Sequence, residues 1–413
     1  MIFYKTFSNG LRLVINKIDG LMSVSCGVLV KTGSANEQEQ ENGISHFIEH
    51  TVFKGTKKRS AFDISDYIDG IGAQINAFTS KEITCYYTKS TAEHAEETLE
   101  VLSDLFFDAT FKEEDLEKEK GVVIEEINMT EDAPEDTVAD LIAEAYYGKE
   151  GLGRTILGPI DNIRRFTSLD IKNYMKKYYC ADNVVISIAG NIDLKSAEIW
   201  AKKYFADRFS CEKSAPQFKG DKFYTERKIR TKPIEQAHVA FCMPGYDVLD
   251  KRGDAFSLAN VVFGGGMSSR LFQTVREKLG LAYSVYSYPS QHKYSGTLEI
   301  YAGVNAKSRD SAINAILEEI NFFKKDGMTE KEFKRSKEQF KASLIMSKES
   351  TASQMLLYGK NLLLADRELD FESRLKDIEN LSLETINEVI RESFKTDKMA
   401  VASLGPEEKP LQV

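Results

Sequence analysis

Along the first half of this 413-residue chain, hydrophobic and polar positions show two kinds of spacing, one typical of strands and one typical of helices. Stretches in which apolar residues alternate or run on predict strands, whereas apolar residues three and four apart predict helices. The predicted strands of this half are residues 11–18, 22–33, 73–80, 82–90 and 183–191. The predicted helices are residues 43–52, 60–70, 92–107, 112–129, 135–147, 169–179 and a last one ending near residue 205. This mixture predicts an α+β fold in which an antiparallel-dominated sheet is covered by helices on one face.

The same order of elements recurs in the second half of the chain. Residues 168–193 and 382–408 share a cap, a helix, a turn, a strand and a glycine, and the hairpin and helix that begin at residue 73 resemble residues 282–323. Both correspondences have an offset of about 210 residues, which indicates a duplicated unit. We therefore predict two homologous halves, residues 1–207 and 231–413, joined by a polar linker at residues 208–230.

The helix predicted at residues 43–52 carries the most specific chemical signal. It reads GISHFIEHTV, so His46 and His50 are four residues apart and Glu49 follows the first of them by three. Residues four apart share one face of a helix, so both imidazoles can offer a nitrogen to a single point. Two imidazoles and a carboxylate beside an open position form a hydrolytic zinc site, and H-x-x-E-H is the inverted zinc-peptidase motif. A pair of core histidines is the ordinary alternative, but an ionisable triad is costly to bury unless something pairs with it.

A hydrolytic zinc site needs a third protein ligand, and the predicted helix that is rich in Glu and Lys offers several carboxylates. Glu119 and Glu126 are seven residues apart, so they share a face that also includes Val122 and Val123. Glu125 points about 100° away from Glu126 on the helix. The pattern alone does not choose between Glu125 and Glu126, and a solvated face is the ordinary interpretation of so charged a helix.

Composition narrows the class of protein. The chain is 42% hydrophobic and 29% charged, no apolar run has the length of a membrane span, and the first residues lack a signal-peptide pattern, so we expect a soluble cytoplasmic protein. The net charge of −9 comes from finely mixed acidic and basic residues, which disfavours nucleic-acid binding. The five cysteines lack C-x-x-C spacing, which favours free thiols in a reducing compartment.

The H-x-x-E-H helix, the acidic helix and the stretch FGGGMSSRLFQTVREKLGLAYSV (residues 263–285) together resemble the family of pitrilysin, insulin-degrading enzyme and mitochondrial processing peptidase. The resemblance covers essentially the whole chain and is to the short, single-chain bacterial branch. It implies the α+β fold that LuxS shares with the processing peptidases, and one zinc ion per chain held by His46, His50 and Glu126. It also implies that Glu49 is the general base.

The resemblance assigns roles to further residues. Glu119 would orient a zinc-binding histidine, while Arg276 and Tyr283 would bind the substrate and stabilise the oxyanion. An edge strand that carries Asn76 and Ala77 would pair with the peptide backbone beside the scissile bond. Without the resemblance, a surface ion pair for Arg276 and a packed strand aromatic for Tyr283 would be the ordinary interpretations.

The patterns and the resemblance together predict a zinc-dependent endopeptidase that hydrolyses unfolded peptides or short precursors, and the resemblance implies that this happens within an enclosed chamber. Members of the short branch commonly pair, so we expect a homodimer with peptide substrates and with neither nucleic acid nor membrane as a partner. The alternative is a non-catalytic structural or substrate-recognition subunit of the same fold, which has no physical need of the zinc motif. The sequence leaves open the cleavage preference, a general degrader or a dedicated processor, and the use of another divalent metal.

Overall fold

Two β-sheets, each packed against helices, make up the computed structural model, which describes residues 1–210, 213–220 and 222–411. The strands are β1 (Ile2–Thr6), β2 (Arg12–Lys17), β3 (Ser23–Val30), β4 (Gln74–Thr79), β5 (Thr84–Thr91), β6 (Val184–Gly190), β7 (Arg227–Thr231), β8 (Gln236–Pro244), β9 (Ala282–Gln291), β10 (Gly296–Asn305) and β11 (Ala400–Gly405). The helices are α1 (Ile44–Thr51), α2 (Ala61–Gly70), α3 (Ala95–Asp108), α4 (Glu113–Asp132), α5 (Pro134–Tyr147), α6 (Ile160–Arg165), α7 (Ser168–Tyr178), α8 (Leu194–Tyr204), α9 (Gly253–Phe263), α10 (Arg309–Asp326), α11 (Glu330–Ser347), α12 (Thr351–Ala365), α13 (Phe371–Asn380) and α14 (Leu383–Ser393). A π-helix lies at Phe272–Lys278.

The two sheets have the same topology apart from one extra strand. The first has the order β1-β2-β6-β3-β5-β4 and the second has the order β7-β11-β8-β10-β9. In each sheet one pair is parallel, β2 with β6 and β7 with β11, and the other neighbours are antiparallel. Position by position, the second order repeats the first from β2 onward. The duplication and the α+β class predicted from the sequence are therefore confirmed.

The chain divides into two compact units whose boundaries differ from contiguous halves. The first unit comprises residues 1–127, 155–218 and 346–369, and the second comprises residues 128–154, 219–345 and 370–413. Each unit thus contains one helix from the other half of the sequence: α12 belongs to the first unit and α5 to the second. Amphipathic periodicity shows that a helix buries one face, but it does not say which sheet receives that face.

The first sheet is covered on both faces, so the expectation of helices on one face is wrong. Val24 and Val28 of β3 point into the same core as Leu99 of α3. The alternate residues of β3 face α12, where the hydroxyl groups of Ser25 and Thr351 lie 2.9 Å apart. The sequence SVSCGVLV has few polar positions because this strand is buried on both sides.

The second sheet is built in the same way. Phe241 of β8 belongs to the core that contains Phe263 of α9 and Ile316 of α10. Its neighbour Ala240 points to the other face and packs with Val138 of α5. Each sheet therefore has a local helical layer on one face and, on the other, a helix contributed by the other half of the sequence.

Cysteine chemistry differs from the expectation of free thiols throughout. Cys26, Cys85 and Cys242 are free and buried. Cys180, in contrast, is disulfide-bonded. The prediction is wrong at that position, because neither cysteine count nor spacing reveals which residues the fold brings together.

A bidentate ion pair in the second unit gives a testable pH dependence. Arg270 donates from Nε and Nη2 to the two carboxylate oxygens of Glu332, at 2.9 and 2.8 Å, and Glu332 also caps α11 through Thr329. Burial alone raises the pKa of Glu332, but the hydrogen bonds from Arg270 and Thr329 outweigh burial and lower the pKa to about 2. A carboxylate with a depressed pKa stabilises the fold above its unfolded pKa, and that stability is lost as the pH falls towards the folded pKa.

We therefore expect Glu332→Gln to lower the free energy of unfolding at pH 7 by up to about 3 kcal/mol, the equivalent of the pKa shift. The deficit relative to wild type should shrink at pH 3, because protonation of the unfolded wild-type chain removes most of the benefit. Urea denaturation of both proteins at the two pH values measures this difference. A deficit that stays constant with pH would contradict the assignment.

Candidate metal centre

Helix α1 is fixed at its N-terminus by a buried carboxylate. Glu37, only 4% exposed, accepts hydrogen bonds from the backbone amides of Gly43 and Ser45, each at 2.8 Å. These amides are among the donors that a helix leaves unpaired at its start. Gly43 has a φ of 98°, and a Cβ there would lie 2.5 Å from the carbonyl oxygen of Leu157, so only glycine fits. Sequence reasoning missed Glu37, because its spacing from the helix matches no capping pattern.

One face of α1 is buried in the core and the other carries the titratable residues. Ile44, Phe47 and Ile48 are fully buried. His46 is 7% exposed, and its ring centroid lies 4.5 Å from that of His50. The helical spacing predicted from the sequence thus brings both imidazoles to one side of α1.

Glu126 of α4 completes a group of three. Its Oε2 lies 3.6 Å from Nε2 of His46 and 3.2 Å from Nε2 of His50. Tetrahedral zinc with bonds of about 2.0–2.1 Å places neighbouring ligand atoms about 3.3 Å apart. The donor set and both separations therefore fit zinc. No second group of three such side chains occurs among the residues that the structure describes.

The protonation of His46 also suits a metal ligand. Burial, followed by the influence of His50, lowers the pKa of His46 to about 3, so its imidazole is neutral near pH 7. Neutral imidazole is the form that binds metal. Within the described part of the chain, Nδ1 of His46 is buried without a hydrogen-bond partner.

His50 is held from behind by two charged residues. Its Nδ1 lies 3.0 Å from Oε1 of Glu119, whose other oxygen lies 2.6 Å from Nζ of Lys54. Burial raises the pKa of Glu119, but the contacts with His50 and Lys54 outweigh burial and lower it. For His50, burial lowers the pKa, while Glu119, Glu126 and Glu49 raise it and prevail. Sequence reasoning found Glu119 but missed Lys54, which lies in an ordinary basic loop.

Glu49 is oriented by the neighbouring edge strand. Thr79, the last residue of β4, donates a hydrogen bond from its hydroxyl to Oε2 of Glu49 at 2.6 Å. Burial raises the pKa of Glu49, and this hydrogen bond and His50 oppose the rise only in part. A carboxylate of raised pKa beside a metal-binding group is suited to accept and return a proton. Thr79 was missed as a functional residue, because nothing in a strand pattern reveals a cross-element hydrogen bond.

The other residues of α4 that the sequence analysis considered differ in their exposure to solvent. Glu125 is exposed and lies outside the group of three. Val123 is buried, as expected, whereas Val122 is 52% exposed, so the prediction that Val122 shares the buried face is wrong. Adjacent residues on a helix point about 100° apart, so only one of the two neighbouring valines faces the core.

Asn76 and Ala77 lie on β4, which is at the edge of the first sheet. Their strand pairs with β5 on one side, where Asn76 is opposite Tyr87. The side chain of Asn76 accepts a hydrogen bond from the amide of Ala77 at 2.8 Å. The strand therefore has the edge position that the sequence interpretation required.

Arg276 and Tyr283 lie together in the second unit, whereas the His–His–Glu group lies in the first. Arg276 belongs to the π-helix, and its guanidinium carbon lies 5.3 Å from the ring centroid of Tyr283 and 4.7 Å from that of Phe272. Tyr283 is 78% exposed, so it is not a packed strand aromatic. π-Helical turns are rare and occur frequently at functional sites.

The fold and the site define a class: an α+β protein with duplicated sheets, the first of which carries an H-x-x-E-H helix beside a distal glutamate. Comparison with family models narrows this class. Residues 13–160 match the model described as insulinase (peptidase family M16), and residues 165–340 match the model of the peptidase M16 inactive domain. The chain belongs to the M16, or insulinase, family of peptidases.

Individual relatives support the family assignment along the whole chain. An uncharacterised zinc protease of Bacillus subtilis, YmxG, is 44% identical over 98% of both chains. An uncharacterised zinc protease of Streptomyces coelicolor is 35% identical over 97% of this chain and 89% of its own length. In both cases the alignment extends over both sheets.

Solved structures show the same fold. A structure described as a peptidase M16 inactive domain from Pseudomonas fluorescens superposes with a TM-score of 0.91, at 21% identity and full coverage of both chains. A protease from Helicobacter pylori has a TM-score of 0.89, at 24% identity over 98% of this chain and 99% of its own. At such identities the likeness concerns the fold alone.

Among the described residues, no helix is long and apolar enough to cross a membrane.

Proposed function

We propose that this chain is a zinc-dependent endopeptidase that hydrolyses unfolded peptides or short precursors. One observation carries the proposal: the convergence of His46 Nε2, His50 Nε2 and a Glu126 oxygen at ligand-to-ligand spacing. These three residues would hold one zinc ion. When bound, zinc would supply the Lewis acidity that lowers the pKa of a water and polarises a peptide carbonyl.

The chain's own residues would manage the protons of the reaction. Glu49 would accept the proton of the attacking water and later return it to the leaving amine. The hydrogen bond from the Thr79 hydroxyl to Oε2 would hold the Glu49 carboxylate in a fixed orientation for this role. Glu119 would hold His50 in a single tautomer through Nδ1 and direct Nε2 forward.

Substrate recognition is assigned to two further places. The outer edge of β4, with Asn76 and Ala77, would pair with an extended peptide through backbone hydrogen bonds, which demand little of the side-chain sequence. Arg276 and Tyr283 carry donors that could stabilise a developing oxyanion, as the family resemblance implies. The role of Arg276 and Tyr283 rests on the family resemblance and is part of the proposal.

Peptide hydrolysis measured before chelation, after chelation and after zinc restoration tests the proposal. We expect cleavage that chelation abolishes and zinc restores. A protein that binds zinc and never cleaves, or that cleaves equally well without metal, would contradict it, and the first of these outcomes would favour the non-catalytic subunit. With a mixed peptide library, many cleavage sites indicate a general degrader, and a single consensus indicates a dedicated processor.

The family resemblance also leads us to propose a homodimer that cuts peptides inside an enclosed chamber in the cytoplasm. Sedimentation measures the mass of the assembly. A peptide that is cut alone but protected within a folded domain would support an enclosed site. The cysteines no longer support the cytoplasmic proposal, because a disulfide such as the one at Cys180 is unusual in that compartment. The proposal therefore rests on the other sequence patterns.

Thr79→Val should lower kcat about tenfold, the loss expected for one hydrogen bond to a charged group. Valine keeps the shape of threonine and suits a strand, so the Michaelis constant and the zinc content should stay near wild type. Thr79→Ser restores the hydroxyl and should recover kcat. Steady-state kinetics of the three proteins make the comparison, and an unchanged kcat in Thr79→Val would show that the hydrogen bond does not position Glu49.

A further inference from the structure

A line of three side chains leads from the surface to the metal-binding group. Lys54 Nζ contacts Oε2 of Glu119 at 2.6 Å, and Oε1 of Glu119 contacts Nδ1 of His50 at 3.0 Å. Lys54 ends the 3₁₀ turn Val52–Lys54, which follows directly after α1. The same short segment therefore carries both His50 and the cation that holds the partner of His50.

Burial distinguishes this contact from an ordinary surface ion pair. The side chain of Glu119 is 6% exposed and that of Lys54 is 38% exposed. Exposed ion pairs contribute little, but a buried carboxylate oxygen that loses its partner has a substantial desolvation cost. Without Lys54, Oε2 of Glu119 would be left without this partner, and the carboxylate would gain from rotating towards water. Such a rotation would withdraw Oε1 from His50.

Two physical effects of Lys54 on a bound dication have opposite signs. As a nearby positive charge, the ammonium repels the dication, so its removal should tighten binding. As the group that fixes Glu119, it keeps His50 oriented, so its removal should weaken binding. The sign of the change in zinc affinity therefore separates positioning from simple electrostatics.

We propose that Lys54 is a positioning residue of the metal centre: it holds Glu119 so that Glu119 can orient His50 towards the ion. This inference rests on the zinc site proposed above. The orienting effect outweighs the repulsion, because Lys54 is partly exposed and its charge is screened by water, whereas the Glu119 side chain that contacts His50 is buried.

Zinc affinity, measured by competition with a chromophoric chelator on the full-length protein and with zinc alone as the probe, tests the proposal without any activity assay. Lys54→Met should bind zinc about tenfold more weakly, at the lower end of the loss seen when outer partners of a ligand are removed. Lys54→Arg keeps the charge and the donors and should bind within about twofold of wild type. Thermal unfolding of the metal-free proteins shows whether each variant is folded.

Lys57→Met is the matched control. Lys57 lies three residues further along the same basic loop and pairs with Asp108 instead of Glu119, so its removal deletes a neighbouring charge without disturbing the line to His50. Its zinc affinity should equal that of wild type. If Lys54→Met does not fold, Lys54→Gln replaces it, with weaker binding again expected.

The outcomes are distinct. Weaker binding in Lys54→Met, with Lys54→Arg and Lys57→Met near wild type, supports the positioning role. Unchanged or tighter binding in Lys54→Met, or an equal loss in Lys57→Met, overturns that role while leaving the zinc site intact. A wild-type protein that fails to bind zinc overturns both this inference and the proposed function.

Discussion

Replacing Glu49 with glutamine should abolish peptide hydrolysis while zinc stays bound. Glutamine has nearly the same shape, and its amide oxygen can still accept the hydrogen bond from Thr79, so the local structure should be retained. The amide cannot accept a proton at neutral pH, however, and the water would have to lose its proton without a base. General-base catalysis typically contributes about 10²–10⁴-fold, and we expect kcat/KM to fall by at least that range.

Metal analysis after dialysis and steady-state kinetics on the same preparation test this expectation together. Zinc content near one ion per chain with hydrolysis below detection would place Glu49 in the chemical step. Loss of zinc along with activity would instead show that Glu49 supports the metal centre. Retention of activity would remove Glu49 from the mechanism. As a control, Glu97→Gln removes a carboxylate in the first turn of α3, where Glu97 contacts Tyr67, and this variant should behave as wild type.

The part of the site that could be predicted from the sequence is the part that one helix determines. His46 and His50 are four residues apart on α1, and helical geometry alone brings their rings to 4.5 Å. Glu126 belongs to a different helix, and periodicity could not choose it over Glu125. The family resemblance pointed to Glu126, and in the structure its carboxylate is the one beside the imidazoles.

Residues that act through tertiary contacts could not be predicted from the sequence patterns. Glu37, Lys54 and Thr79 lie in a polar connection, a basic turn and a strand end, where their residue types are ordinary. Each becomes informative only when the fold brings it to α1 or to Glu119. A one-dimensional pattern records which face of an element is buried but not the element that covers it.

The same lack of tertiary information decided which features of the fold could be predicted from the sequence. The repeat indicated that the two sheets would share one topology, because both halves present the same sequence of hairpins and helices. The exchange of α5 and α12 could not, because each is an amphipathic helix that either sheet could have accepted. Contiguous halves were the simpler expectation, since neighbouring elements usually pack together.

Replacing Glu126 with glutamine should release zinc and remove hydrolysis with it. Structural zinc in small sites is held by about 10–16 kcal/mol over four ligands, or about 3 kcal/mol for each. Exchange of an anionic ligand for a neutral amide should therefore weaken zinc binding by about 10²-fold. Because His46 and His50 are a single turn apart and remain in place, residual binding at high zinc concentration is expected, with activity recovering only in part.

Glu125→Gln supplies the control, since it removes the same charge from the adjacent residue of α4, which is exposed and outside the group of three. Zinc affinity by chelator competition and hydrolysis at submicromolar free zinc should stay at wild-type values in Glu125→Gln and fall sharply in Glu126→Gln. An equal effect of both substitutions would show that general negative charge on α4, and not a bond from one carboxylate, holds the ion. The opposite order would move the ligand to Glu125 and require α4 to rotate by about 100° when metal binds.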